Sequence, residues 1–245
     1  MVLLSIVGVC IGAISGFFGV GGGMILTPVL LLLGFKIKVA IGISIIQMVF
    51  SSIFGSYLNF KKGTLLVGDG IFVGFGGFLG GYIGGYVTDY ISDDFLEYIF
   101  LGLLFFALFR LLSVPIEKDI PITKQINRWV LFMLGLAIGV FSITLGIGGA
   151  IILTPILVGI LHYPIKKAVS ASLFFVVFSS IAGLMSRLIN GTIDFEHGLL
   201  VAISSLLGVA LGIWLKEYIS LKYHKRALLL LYVFVILILI KKMYF

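Results

Sequence analysis

GAISGFFGVGGGMILTPVL, residues 12–30, is the stretch on which the reading of this chain turns. It is apolar almost throughout, yet it carries a glycine cluster followed by Thr27-Pro28. Each glycine costs a helix about 1 kcal/mol relative to alanine, and an interior proline about 3 kcal/mol. Backbone groups freed by such a break inside a hydrocarbon layer must be satisfied by protein or by a water-filled cavity. The stretch therefore reads as a broken membrane helix. It also occurs twice: residues 139–157 are GVFSITLGIGGAIILTPIL, 127 positions later, with ten of nineteen residues identical. Ser15 matches Ser142, Gly19 matches Gly146, Gly21-Gly22 match Gly148-Gly149, and Thr27-Pro28 match Thr154-Pro155.

The surrounding chain fixes the class. Of 245 residues, 61% are hydrophobic and 11% charged, and the mean hydropathy is +1.27. Several apolar runs reach the roughly 20 residues that a helix needs to cross a bilayer. Nothing alternates with the period of two that a membrane β-barrel requires. The expected fold is an all-α polytopic membrane protein. The net charge is +7, but the Lys and Arg residues sit in loops and at helix ends, which reads as topology and contact with anionic lipid. No basic run is interleaved with aromatics, so nucleic acid is not an expected partner. Cys10 is the only cysteine, which excludes a disulfide framework, a Cys-based zinc site and an iron–sulfur site within one chain. The N-terminus lacks a basic n-region and a small-residue cleavage site, and its copy is internal, so it is read as mature structure.

Taken in order, the first half has apolar segments at 2–33, 39–58, 70–87 and 95–112. A polar stretch follows at 113–128, SVPIEKDIPITKQINR, and the pattern restarts at 129–161, 168–186, 198–215 and a short last segment, 227–240. Beyond the opening motif the halves match at an offset of 128: Lys38 with Lys166, Ser44 with Ser172, Ser51-Ser52-Ile53 with Ser179-Ser180-Ile181, Gly63-Thr64 with Gly191-Thr192, Gly80 with Gly208, Gly84 with Gly212 and Tyr90 with Tyr218. The expected organisation is a first membrane repeat at 1–112, a linker at 113–128 and a second repeat at 129–245. Duplication of this kind is the signature of secondary transporters, with the site at the repeat interface.

The relative direction of the repeats depends on residues 2–33. A straight helix of that length would extend about 48 Å, well beyond a hydrocarbon core of about 30 Å. If the segment nevertheless crosses, each half has four spans, the repeats are parallel, and the 17 Lys and Arg split 9 to 8. If it is a re-entrant hairpin, each half crosses three times and the repeats are inverted. One side then carries twelve of the cations and the other five, namely Lys36, Lys38, Arg187, Lys241 and Lys242. Lys and Arg collect on the cytoplasmic side, so the inverted arrangement is favoured, with both termini outside and the linker in the cytoplasm.

Three features bear on chemistry. The first is the pair of breaks, Gly19, Gly21, Gly22 and Gly23 before Thr27-Pro28, and Gly146, Gly148, Gly149 and Ala150 before Thr154-Pro155. A break exposes backbone N–H groups, and the half-helix after it aims its positive dipole end at whatever sits there, which suits an anion. The other glycines, Gly80-Gly81, Gly84-Gly85, Gly208 and Gly212, read as close helix packing. The second is a polar stripe, Ser44, Gln47 and Ser51, one face of a helix, matched by Ser172, Phe175 and Ser179. Hydroxyls and an amide there suit an oxyanion that needs several donors but no full countercharge. Ser15, Ser142 and Thr144, just before the breaks, are further candidates. The third is what is missing: no Asp, Glu, Lys or Arg lies at the centre of an expected span, and His162, His197 and His224 lie near loops. No proton relay, metal site, nucleophile–base pair or cofactor site is visible, so an enzyme is not expected. Arg187 reads as an interfacial anchor.

The duplicated motif, Gly19-Val-Gly-Gly-Gly23 with Thr27-Pro28 and Gly146-Ile-Gly-Gly-Ala150 with Thr154-Pro155, resembles the TauE/SafE family of membrane anion transporters across essentially the whole chain. The resemblance implies transport of a small sulfur-containing anion (sulfite, thiosulfate or a sulfonate) across the cytoplasmic membrane, with export as the expected direction. It implies a substrate shell of Gly21, Gly22, Gly23, Gly148, Gly149, Ala150, Thr27 and Thr154. One departure is Ala150 where the first half has Gly23, which narrows the second loop and makes the half-sites unequal. Coupling to a proton or another ion and uncoupled movement down the membrane potential are both compatible with the sequence. The rival reading is an anion or small-solute channel built on paired re-entrant loops.

Overall fold

The structure, a computed structural model, describes residues 1–65, 67–113, 127–161, 163–189 and 193–244. His162, the Asn190-Gly191-Thr192 turn and most of the polar 113–128 stretch, with Lys118 and Lys124, lie outside the described residues. Within them the chain is helical and contains no strand: α1 (Val2–Phe18), α2 (Gly23–Leu32), α3 (Ile37–Lys61), α4 (Val67–Val87), α5 (Asp93–Ser113), α6 (Arg128–Thr144), α7 (Ala150–Gly159), α8 (Ile165–Ile189), α9 (Phe195–Tyr218) and α10 (Leu221–Tyr244). Of these, α3, α4, α5, α8 and α9 are long and apolar enough to cross a membrane. Each glycine-broken segment becomes two helices, α1–α2 and α6–α7, split at the glycines. The last segment, read from the sequence as short, is instead a 24-residue helix. Its charged ends were excluded from the apolar run, but charge does not stop a helix from continuing into the interface. Two helices start on side-chain caps: Asn127 Oδ1 accepts from Trp129 N–H at 3.0 Å, and Asp194 Oδ1 from His197 N–H at 3.2 Å.

The most extensive helix pairings run across the halves, while α2 packs on α3 and α7 on α8 within them. α1 packs on α9 and α6 on α4; α3 packs on α9 and α4 on α8; α3 also meets α8, and α5 meets α10. Contact order gives the directions. Gly8, Gly12 and Gly16 of α1 meet residues around 201, 205 and 209 of α9 in ascending order, so these two helices run parallel. α4 and α6 are parallel too, with Gly76, Gly80 and Gly84 against Phe132, Leu136 and Val140. α3 and α8 are antiparallel: Arg187 near the end of α8 bonds the carbonyl of Lys38 at the start of α3, while Ser170 near the start of α8 bonds Thr64 just past the end of α3. The Lys242–Glu97 ion pair fixes α10 antiparallel to α5. α2 turns back along α3, since Gly21, Gly22 and Thr27 meet Ser51, Gln47 and Ser44 in turn.

Small residues make the tight crossings possible, as expected for Gly80, Gly84, Gly208 and Gly212. A Cβ at Gly80 would overlap the Leu136 carbonyl oxygen, and one at Gly208 the Val9 carbonyl oxygen. A backbone carbonyl in a packed helix cannot retreat as a side chain can. Gly80→Val and Gly208→Val are therefore expected to destabilise by at least about 1–3 kcal/mol, the usual cost of overpacking. The check is the melting temperature and monodispersity of the detergent-solubilised protein. Gly102→Val, whose Cβ would meet open space, is the neutral control.

Candidate functional site

The helix breaks are built on backbone that favours glycine. α1 ends as Gly19 N–H donates to the Ser15 carbonyl at 2.7 Å. Gly22 caps α2 with φ 86° and Gly149 caps α7 with φ 65°. Both lie in the left-handed region that glycine enters without a Cβ penalty. Pro28 and Pro155 each sit at the sixth position of the following ten-residue helix. A proline there removes the bond to the carbonyl four residues back. At Pro155 the freed carbonyl is that of Ile151, and the fully buried Tyr232 of α10 donates its hydroxyl to it at 2.9 Å. The sequence pattern gave no sign of that tyrosine's role, because its counterpart in the first half is Leu104.

The two breaks touch. Thr27 Oγ1 donates to the Gly146 carbonyl at 3.2 Å and lies 2.9 Å from Ser44 Oγ. In the other half Thr154 Oγ1 donates to Ser172 Oγ, also at 2.9 Å. A Cβ at Gly23 would overlap the Gly146 carbonyl oxygen, and one at Gly148 would lie 3.0 Å from the Val20 carbonyl oxygen. Met48 fills the space between the breaks, its Sδ within 2.7–2.8 Å of where Cβ atoms of Gly148 and Gly23 would stand. Ser51 Oγ donates to the Gly21 carbonyl at 3.3 Å. Ser179 does not reach a break: its hydroxyl bonds the Val176 carbonyl of its own helix, and its backbone packs against Gly81 of α4. All the other residues of the expected shell, Ala150 included, are gathered at or beside the two breaks.

Gln47 stands at the centre. It is the eleventh residue of the 25-residue α3, and its amide lies directly against Gly22. The corresponding eleventh residue of α8 is Phe175, which lies against Gly149 together with Ser142. One half-site is thus polar and the other apolar. Among the described residues, both polar atoms of the Gln47 amide and the hydroxyls of Ser15 and Ser142 are buried with no hydrogen-bond partner. Likewise, among the described residues, no backbone carbonyl outside the regular helices accepts from the N–H groups of Gly21, Gly22, Gly23 and Met24, or from those of Gly148, Gly149 and Ile151. Buried polar groups are normally paired, so this concentration of unpartnered polar groups is what singles out the breaks as the candidate site. Among the described residues no charged side chain is bonded to the breaks; the N-terminal ends of α2 and α7 supply positive potential there. Among the described residues there is no cluster of His, Cys, Asp or Glu able to hold a metal ion.

Three charged or titratable groups lie deeper than their sequence positions suggested. Arg187, read as an interfacial anchor, is fully buried. So is Lys216, near the end of α9. His224 is also fully buried, its ring 4.8 Å from that of Phe17 beside the first break. Proximity to a loop in the sequence does not place a residue at the surface when groups from other elements, such as Asp89 and Lys38 at Arg187 or Asn59 and Ser170 at Lys216, cover it.

Comparison with known proteins agrees with this architecture. The family model described as Sulfite exporter TauE/SafE matches residues 4–239. The chain is 28% identical over 218 residues to the "Probable membrane transporter protein YdhB" of Bacillus subtilis (strain 168), covering 86% of this chain and 88% of that one. It is 29% identical over 251 residues to the "Probable membrane transporter protein MJ0441" of Methanocaldococcus jannaschii, covering 93% and 90%. No solved structure matches. The chain belongs to the Sulfite exporter TauE/SafE family and is a multi-pass membrane transporter.

Proposed function

We propose that the chain is a secondary transporter that moves a small sulfur-containing anion, such as sulfite, thiosulfate or a sulfonate, outward across the cytoplasmic membrane. It works by alternating access of two inverted repeats around the paired breaks. The observation that carries this reading is the contact of the two glycine breaks beside the buried, unpartnered amide of Gln47. An oxyanion presents several acceptor oxygens, and the site offers backbone N–H groups, an amide, hydroxyls and two helix N-termini. The absence of a full cation at the centre suits an ion that must leave as readily as it enters. The inverted arrangement is supported by the antiparallel α3 and α8, by the pairing of α1 with α9 and α6 with α4, and by the uneven division of Lys and Arg. The sulfur class is supported by the family description. The outward direction is supported by the membrane potential, which favours anion exit by about 2.3 kcal/mol per charge per 100 mV.

The test uses purified protein in liposomes. Uptake of radiolabelled sulfite or thiosulfate should saturate, show counterflow, and vanish in folded Gly22→Leu and Gly149→Leu variants. A large unsaturating conductance would make the chain a channel, and failure of every sulfur oxyanion to move would remove the substrate class.

A further inference from the structure

Among the described residues two fully buried Lys and Arg side chains stand at opposite ends of the helix bundle. At one end, Arg187 of α8 donates to Asp89 Oδ1 at 3.3 Å and to the Lys38 carbonyl at 3.1 Å. At the other, Lys216 of α9 donates to Asn59 Oδ1 at 3.0 Å and Ser170 Oγ at 3.3 Å. Under the 128-residue offset Arg187 corresponds to Asn59, Lys216 to Thr88, and Glu217 to Asp89. The cation has therefore changed helices between the halves. One end takes it from α8 and has the neutral Thr88 opposite; the other takes it from α9 and has the neutral Asn59 opposite. Neither position needs a cation for packing, since its counterpart is neutral. What both ends keep is one fully buried cation; Asp89 bonds Arg187, while Glu217, next to Lys216 in the chain, pairs with Lys62 at 2.8 Å.

Each cluster adjoins an element that leads into a break. Thr88, next to Asp89, donates to the carbonyl of Thr144 at 3.2 Å, and Thr144 is the last residue of α6 before the second break. Lys216 stands one helical turn beyond Gly212, whose missing Cβ makes room for the backbone of Ala13 and Phe17 just before the first break. A buried cation is costly, and removing charge from water is not repaid by packing alone. Keeping one at each end, by different residues, points to a requirement for charge at both ends.

We infer that Arg187 and Lys216 are a matched pair of receiving stations for the oxyanion, one for each mouth of the path. Each takes up the anion's charge when its mouth opens and delivers the ion to the neutral donors at the breaks. This rests on the transporter reading above. It explains why the centre can lack a cation: the charge is met at the mouths.

The experiment measures KM for [35S]thiosulfate and [35S]sulfite from each side of oriented proteoliposomes. Lys216→Thr is expected to raise KM about tenfold from one side only, and Arg187→Asn from the other side only, the lower end of what a focused charge does to local ion concentration. Lys216→Thr combined with Asn59→Arg, which copies the opposite end, should restore most of the loss. Lys216→Arg and Arg187→Lys keep the charge and should keep the KM. If the wild type transports and Gln47→Leu raises KM from both sides, but the cation variants fold and leave both KM values unchanged, the receiving role is wrong and the transporter reading stands. The role is also wrong if both sides are affected alike, or if the transplanted cation restores nothing. If the wild type moves neither anion, both readings fall together.

Discussion

Replacing Gln47 with leucine is expected to weaken the apparent affinity for the transported anion about 10–100-fold while leaving the protein at least as stable as the wild type. The two halves of this expectation come from one observation. The Gln47 amide is buried against Gly22 with both polar atoms unpartnered. Burying an unpaired amide costs about 1–3 kcal/mol on the scale of protein substitutions. Leucine fills similar volume without that cost, so thermal unfolding in detergent should move upward or stay level. A hydrogen bond to a charged ligand contributes about 1.5–3 kcal/mol, so losing one lowers affinity about 10–100-fold. A glutamine present only for packing would give the opposite pattern, with affinity kept. Phe175 shows that the matching position of α8 accepts a large apolar residue.

The second large effect is an asymmetry at the start of the two half-helices. Gly23→Ala is expected to stop transport, while Ala150→Gly leaves it intact. A Cβ on Gly23 would overlap the Gly146 carbonyl oxygen, which belongs to the other break. The contact is backbone to backbone, so the methyl group must push the two breaks apart. Ala150 already carries a Cβ at the corresponding place and is fully buried with it. Removing that methyl costs at most the usual 0.5–1 kcal/mol or so of a glycine in a helix. Initial uptake rates, normalised to folded protein, separate the two. Equal loss in both variants would mean that the breaks act independently rather than through their contact.

Much of this is legible in the sequence alone. The glycine clusters with Thr-Pro fixed where the helices would break, because backbone cost and positive φ are local properties. The polar stripe Ser44, Gln47, Ser51 could be placed on one helix face by spacing alone, and the structure turns that face to the first break. The close-packing glycines were legible for the same reason. Other features were not, because they depend on which helices meet. Ser179 keeps the helical spacing of the stripe, yet α8 carries it to α4 instead of to a break. The burial of Arg187, Lys216 and His224 follows from contacts with residues remote in sequence, Asp89, Asn59 and Phe17 among them. Tyr232 serves the carbonyl freed by Pro155 from 81 residues away. Only the exchange of Asn59 for Arg187 and of Thr88 for Lys216 between matching positions was written in the sequence, and it gains meaning once the pairs are seen to sit at opposite ends.

The most direct test is to locate the anion. Crystals grown with selenite, an anomalously scattering analogue of sulfite, should show one selenium peak between Gly22, Gly149 and the amide of Gln47, within hydrogen-bond reach of the N–H groups that follow the breaks. The same peak should be absent from the Gln47→Leu protein. A peak elsewhere in the bundle with none at the breaks, or an undiminished peak in the variant, would contradict the account.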